Sequence, residues 1–260
     1  MKHSWNIVKA GTAVLLAACS VIVAPAGPAH AAMTLRDAAA VTGRYAGAGV
    51  TADRLFGAGA DPRYRETLER EFGSITPRTE LTWQVVEPVR GRFDFSRGDR
   101  LIGYARSAGL SVRGQGLVWH QALPSWATQP RPAAELRQIM TDHIRTVVGR
   151  YRGLVQDWEV VGDAFADNGS WRDSVFSRML GAEYVAHAFR AARAADPTAK
   201  LYYTDYGIET VNAKSTAVYN LVRWLKSQGV PIDGVGFRGR LRLGQGSADF
   251  ASIRYNLQRF

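Results

Sequence analysis

One pattern limits the folds open to this chain: a short apolar run followed by an amphipathic stretch, repeated about six times. Residues 45–50, 73–76, 110–118, 155–161, 200–203 and 232–236 have strand composition. Residues 62–72, 96–108, 132–151, 182–194, 216–227 and 248–260 carry helical periodicity. In the longest of these, Leu136, Ile139, Met140, Ile144 and Val147 fall on one face. Strands too apolar to face water, each followed by a helix, predict a parallel sheet covered by helices. A doubly wound sheet and a β/α barrel both satisfy that order. No G-x-G-x-x-G or G-x-x-x-x-G-K-[ST] follows a strand, which counts against a nucleotide-binding sheet. Trp83, Trp119, His120, Asp163, Asp205 and Tyr206 fall at or just beyond expected strand ends. In a barrel those ends share one rim, where sites are built. The prediction is an α/β chain of the (β/α)8 TIM-barrel type.

Composition narrows the function classes. A 260-residue chain with 46% hydrophobic and 22% charged residues buries a sizeable core and is not mainly disordered. The net charge of +10 invites a nucleic-acid partner, but the basic residues are spread over helices without an aromatic-interleaved patch, so none is expected. No apolar run of about 18 residues follows the N-terminal segment, so no membrane span is expected. Lys2 and Lys9, the apolar stretch 10–24 and Ala29-His30-Ala31 form a secretory signal over residues 1–31, cut after Ala31. The expected location is extracellular, with residues 32–260 as the barrel domain. A rival reading takes Leu16-Ala17-Ala18-Cys19 as a lipobox with Cys19 as anchor, but apolar sequence continues to Val23. Cys19 is the one cysteine, so the mature domain has no disulfide and no thiolate chemistry. Five histidines without H-E-x-x-H give no metal motif, and neither metal nor cofactor is expected. Catalysis is left to carboxylates, isolated histidines or hydroxyls.

Several stretches carry a more specific likeness. They are Tyr45-Ala46-Gly47-Ala48-Gly49-Val50, Ile75-Thr76-Pro77 through Glu80 to Trp83, and Glu87-Pro88 with Gly91-Arg92-Phe93-Asp94-Phe95. Val112-Arg113-Gly114, Leu117-Val118-Trp119-His120-Gln121, Leu123-Pro124-Ser125-Trp126 and Arg172-Asp173-Ser174 follow. Asp205-Tyr206 and Pro231-Ile232-Asp233-Gly234-Val235-Gly236 complete the set. In this order and spacing the chain, from about Leu35 to Phe260, resembles the catalytic domain of glycoside hydrolase family 10, the endo-1,4-β-xylanases. The resemblance implies an eight-stranded barrel, a sugar-binding cleft, no cofactor, and retaining hydrolysis by two glutamates. Its partner is then xylan or a related plant cell-wall polysaccharide.

Retaining hydrolysis needs a nucleophilic and a proton-donating carboxyl about 5–5.5 Å apart. The family's donor is the Glu of an Asn-Glu pair ending the fourth strand, and Gly162-Asp163 stands there. Asp163 is one methylene shorter, about 1.5 Å less reach, while proton transfer works at about 2.6–3.2 Å. Gly162 replaces the Asn that would hold the sugar 2-hydroxyl. The family's nucleophile lies in a Thr-Glu-Leu-Asp motif on the seventh strand, and no Glu or Asp follows Asp249. The expected barrel is therefore incomplete: about six of eight β/α units, no strands seven and eight, no nucleophile. Open edges predict self-association.

Sugar-binding positions are also rewritten relative to the resemblance. The family's Glu-Asn-Glu-x-Lys-Trp falls on Arg78, Thr79, Glu80, Thr82 and Trp83. Gln115 replaces the first His of Gly-His-Thr-Leu-Val-Trp-His. Thr204 and Gly207 replace both Asn of Asn-Asp-Tyr-Asn, and Arg238 and Arg240 replace the Gln and His of Gln-x-His. Trp83, Trp119, His120, Gln121, Asp205 and Tyr206 remain as substrate-binding candidates. Each has a plainer reading: packing for Trp119, a satisfied structural role for His120, and mutual hydrogen bonding for Asp205 and Tyr206. Glu80 and Glu159 read as members of buried polar networks, and Trp126 and Trp171 as core. Arg78, Arg238 and Arg240 make the cleft mouth basic, which predicts an anionic ligand, such as an acidic sugar, or else marks drift on a dead site. The expected function is a xylanase-like protein with impaired catalysis. The alternative is a non-catalytic secreted polysaccharide-binding protein.

Overall fold

A computed structural model describes residues 33–239 and 250–260; the leader, Cys19 and Arg240 lie outside the described residues. Seven strands form one parallel sheet: β1 (Gly47–Val50), β2 (Ser74–Pro77), β3 (Ser111–Gly114), β4 (Val118–Trp119), β5 (Asp157–Gly162), β6 (Lys200–Asp205) and β7 (Gly234–Phe237). Their order is β1-β2-β3-β5-β6-β7, with β4 also paired to β5. Both β3 and β4 align on β5, through Gly114↔Trp158 and Val118↔Val161, so they share one strand position. The expected single strand over 110–118 is therefore broken at Gln115-Gly116-Leu117, where Gly116 has φ +82°, a region most side chains avoid. Six strand positions in sequential parallel order make an incomplete (β/α)8 barrel.

Ten helices accompany the sheet among the described residues: α1 (Leu35–Ala40), α2 (Ala52–Phe56), α3 (Pro62–Glu71), α4 (Trp83–Val86), α5 (Ser96–Ser107), α6 (Ala133–Arg150), α7 (Val175–Leu180), α8 (Glu183–Ala195), α9 (Ala213–Ser227) and α10 (Phe250–Arg259). The periodic segments fold as read, within a few residues at each end. The starts are set by local chemistry. Asp61 accepts from the Arg63 amide ahead of Pro62, and Asn212 and Ser215 form a capping box that opens α9. The short helices α2, α4 and α7 hold too few turns for a periodic signal. The core runs between sheet and helices, with Ile75, Val112, Trp158, Val160, Leu201 and Tyr203 from the strands and Leu136, Ile144, Val147 and Phe189 from α6 and α8. Trp158 lies so close to β3 that a Cβ on Gly114 would stand inside its indole. No described helix is long and apolar enough to cross a membrane.

Candidate active site

Parallel strands deliver their C-terminal residues to one rim. There Arg78 follows β2, Trp119 and His120 end and follow β4, Asp163 follows β5, Tyr206 follows β6 and Arg238 follows β7. Asp163 is held at several points. Its φ of +54° is the one positive value among described non-glycine residues, a conformation that Asp tolerates better than most side chains. Its amide donates to the Thr204 carbonyl at 2.9 Å, and its own carbonyl accepts from Arg172 Nε at 2.9 Å. Oδ2 accepts from the Trp119 indole at 2.8 Å and stands 3.5 Å from Arg238 Nη1. The residue is 2% exposed.

Asp163 Oδ1 and His120 Nδ1 are both buried without a protein hydrogen-bond partner. Both residues line one small cavity with Gly162, Arg172, Ser174 and Tyr184. Its accessible space is about 10 Å³, near the minimum for one water molecule. Burial drives the His120 pKa down; Arg172, Arg238 and Lys214 push the same way, while Asp163 opposes them. His120 Nδ1 therefore has no hydrogen-bond partner from the protein itself.

Arg238 reaches back from β7 to β5. Nη2 donates to Glu159 Oε1 at 3.0 Å, and the guanidinium carbon lies 5.2 Å from the Trp119 ring centroid. Burial raises the Glu159 pKa against the pull of Arg238 and Arg113. Gly162 lies beside this pair: a Cβ there would meet Glu159 Oε1 at 2.7 Å and Arg238 Nη2 at 3.2 Å. The expected basic cleft mouth is corrected for Arg238, whose charge is taken up by two carboxylates of the chain itself. Arg78 is exposed at the rim and its carbonyl accepts from Gln115 Nε2 at 2.8 Å.

A second network lies beneath Tyr206. Lys214, 1% exposed, pairs with Asp205 Oδ1 at 2.9 Å and reaches Asp167 at 3.3 Å. Its ammonium stands 3.2 Å from the Tyr206 ring centroid. Asp205 also accepts from the Tyr203 hydroxyl at 2.6 Å and the Tyr206 amide at 2.9 Å. With no exposed surface, Asp205 holds the rim together rather than facing a ligand, which corrects its expected sugar contact. Lys214 was missed from sequence, although it shares a helical face with Val218, Leu221 and Leu225. A lysine on an apolar stripe is the signal that would have found it.

Trp83 is corrected in the same way. It lies in α4 beyond the strand end, fully buried, stacked on His143 with centroids 3.9 Å apart, and its Nε1 donates to Glu87 at 2.9 Å. A ring enclosed on all sides has no face for a sugar. Glu80 is buried as expected, accepting from the Ala52 and Thr79 amides. Thr82 bonds to the Thr79 carbonyl, and Thr204 accepts from Arg113 at 3.3 Å. Gly207 adopts φ +66°. Gln121 is exposed, and Trp119, His120 and Tyr206 are partly so. Trp126 is partly buried and donates to the Glu87 carbonyl, whereas Trp171 is 37% exposed rather than core.

A parallel β/α half-barrel that gathers Asp163, Trp119 and His120 on its C-terminal rim carries its polar cluster where β/α barrels build their sites. The profile of Glycosyl hydrolase family 10 matches residues 34–260, and the chain belongs to that family. It is 40% identical to endo-1,4-beta-xylanase B of Thermotoga neapolitana over 199 residues, 76% of this chain and 57% of that protein. To endo-1,4-beta-xylanase A of Phanerodontia chrysosporium it is 44% identical over 189 residues, 72% of this chain and 46% of that one. The chain thus spans about half the length of these curated relatives. Native xylanase 10B from Thermotoga maritima superposes with a TM-score of 0.82 at 38% identity, covering 87% of this chain and 69% of that one.

Proposed function

We propose that this chain is a xylan-directed member of the family whose acid/base position has lost its reach. Such an acid/base position by itself slows cleavage of β-1,4-xylosidic bonds by about 10²–10⁴ relative to a member with Glu there, the range that general acid–base catalysis contributes. Support for the substrate comes from the relatives, which bear the name endo-1,4-beta-xylanase. Secretion after loss of residues 1–31 would place the chain where such polymers are found.

The observation that carries the reading is the environment of Asp163. Its short carboxylate is bonded to the Trp119 indole, paired with Arg238 and 3% exposed at the side chain. A donor to a glycosidic oxygen must meet it within hydrogen-bond distance; this carboxylate is turned into the protein. Glu159 does not replace it, because its side chain is 5% exposed and tied to Arg238. A pure binding module fits less well. Arg238 lies over Trp119 and Lys214 over Tyr206, so one face of each ring is occupied by a cation of the chain itself.

Initial rates of reducing-end release from β-1,4-xylan, measured beside a family xylanase with Glu at this position, test the reading. The expected rate is lower by about a hundredfold or more. A comparable rate overturns it.

A further inference from the structure

The Arg238 guanidinium is enclosed by groups that suit a planar cation. Glu159 takes Nη2 at 3.0 Å, Asp163 faces Nη1 at 3.5 Å, and the Trp119 ring lies 5.2 Å from Cζ. Both acidic side chains are almost out of water, at 5% and 3% exposure, whereas the Arg238 side chain keeps 18%. Two buried acids beside an indole need a cation between them. Removing it leaves uncompensated buried charge, and guanidinium suits carboxylates and aromatic faces better than ammonium does. The space also exists for a reason visible in the sequence. Residue 162 is glycine, and the volume its Cβ would take is held by Glu159 Oε1 and Arg238 Nη2.

We propose that Glu159, Asp163 and Trp119 form a guanidinium-recognising subsite that Arg238 fills as a built-in ligand. Glu159 belongs to β5, Asp163 follows it and Arg238 follows β7, so the clamp spans β6 and closes the rim from within. Truncating Arg238 opens the subsite to a free alkylguanidinium cation. The proposal deepens the reading above, since a filled subsite beside Asp163 adds to slow hydrolysis. Its readout is cation binding, so either can fail without the other.

The test uses Arg238→Ala and Arg238→Lys beside the unmodified chain, with methylguanidinium up to about 10 mM and methylammonium at equal ionic strength. Calorimetry should show Arg238→Ala binding methylguanidinium at least about tenfold more tightly than the unmodified chain, with a matching rise in its melting temperature. Methylammonium should do much less, and Arg238→Lys, with an ammonium already in place, should resemble the unmodified chain. If Arg238→Ala does not fold unaided, recovery of a cooperative melt with methylguanidinium supports the proposal, and no recovery contradicts it. A folded Arg238→Ala protein that treats the two cations alike overturns it.

Discussion

The Trp119 indole N–H donates to Oδ2 of Asp163 at 2.8 Å, so the rim tryptophan and the candidate acid hold each other in place. The bond joins the ends of β4 and β5, which are aligned through Trp119↔Gly162. Hydrogen bonds to charged groups contribute about 1.5–3 kcal/mol. Trp119→Phe keeps most of the ring and removes the donor, so the urea midpoint should fall by an equivalent amount. A loss below about 0.5 kcal/mol would show that the bond is not maintained in solution.

Gly162 is the point at which the rim has no spare volume. Gly162→Ala places a Cβ 2.7 Å from Glu159 Oε1, and overpacking of this kind costs about 1–3 kcal/mol. Thermal and urea unfolding should both report it. A neutral or stabilising result would mean that Glu159 and Arg238 move aside freely.

Lys214 and Asp205 form a buried ion pair at 2.9 Å. Breaking such a pair from one side costs about 3–5 kcal/mol, while removing both charges costs much less. Lys214→Met should therefore be strongly destabilising, and Lys214→Met with Asp205→Asn should recover much of the loss. Additive losses in the double variant would argue against the coupling.

Burial lowers the His143 pKa, with the hydrogen bond to Glu87 opposing the shift. Below the ordinary histidine value of about 6.5, the unfolded chain takes up a proton that the folded site resists, so stability falls as pH drops through that value. His120 and His187 are lowered too and act in the same direction. Melting temperatures between pH 8 and 5.5 should decline on the acid side, and His143→Gln should flatten the slope. The difference between the two slopes isolates His143, because the raised Glu159 carboxyl, which acts in the opposite sense, is common to both. Equal slopes would remove His143 from the explanation.

The fold was legible where the sequence repeats a physical period. The runs that became β5 and β6 lie largely buried at the centre of the sheet, while the edge strands β1 and β7 are only partly covered, and α6 shows its core face at helical spacing. The short helix α4 escaped notice, and with it the burial of Trp83, since four residues carry no period. The site was half legible. Position along the chain placed Asp163, Trp119, His120 and Arg238 on one rim, but not the partners of each. Arg238 and Glu159 lie 79 residues apart, and no local pattern announces that a charge will be spent inside the protein. Asp205 looked like a ligand for the same reason, its buried lysine standing on the next helix.

Asp163→Ala tests most directly the proposal that Asp163 is a poor proton donor. Initial rates of reducing-end release from β-1,4-xylan should be compared for the unmodified chain and this variant, both purified free of other glycosidases. The expected result is a low rate that changes by less than about twofold, since a carboxylate bound to Trp119 and Arg238 contributes little as a proton donor. A brisk rate that falls by about a hundredfold or more in Asp163→Ala would show that Asp163 delivers its proton after all.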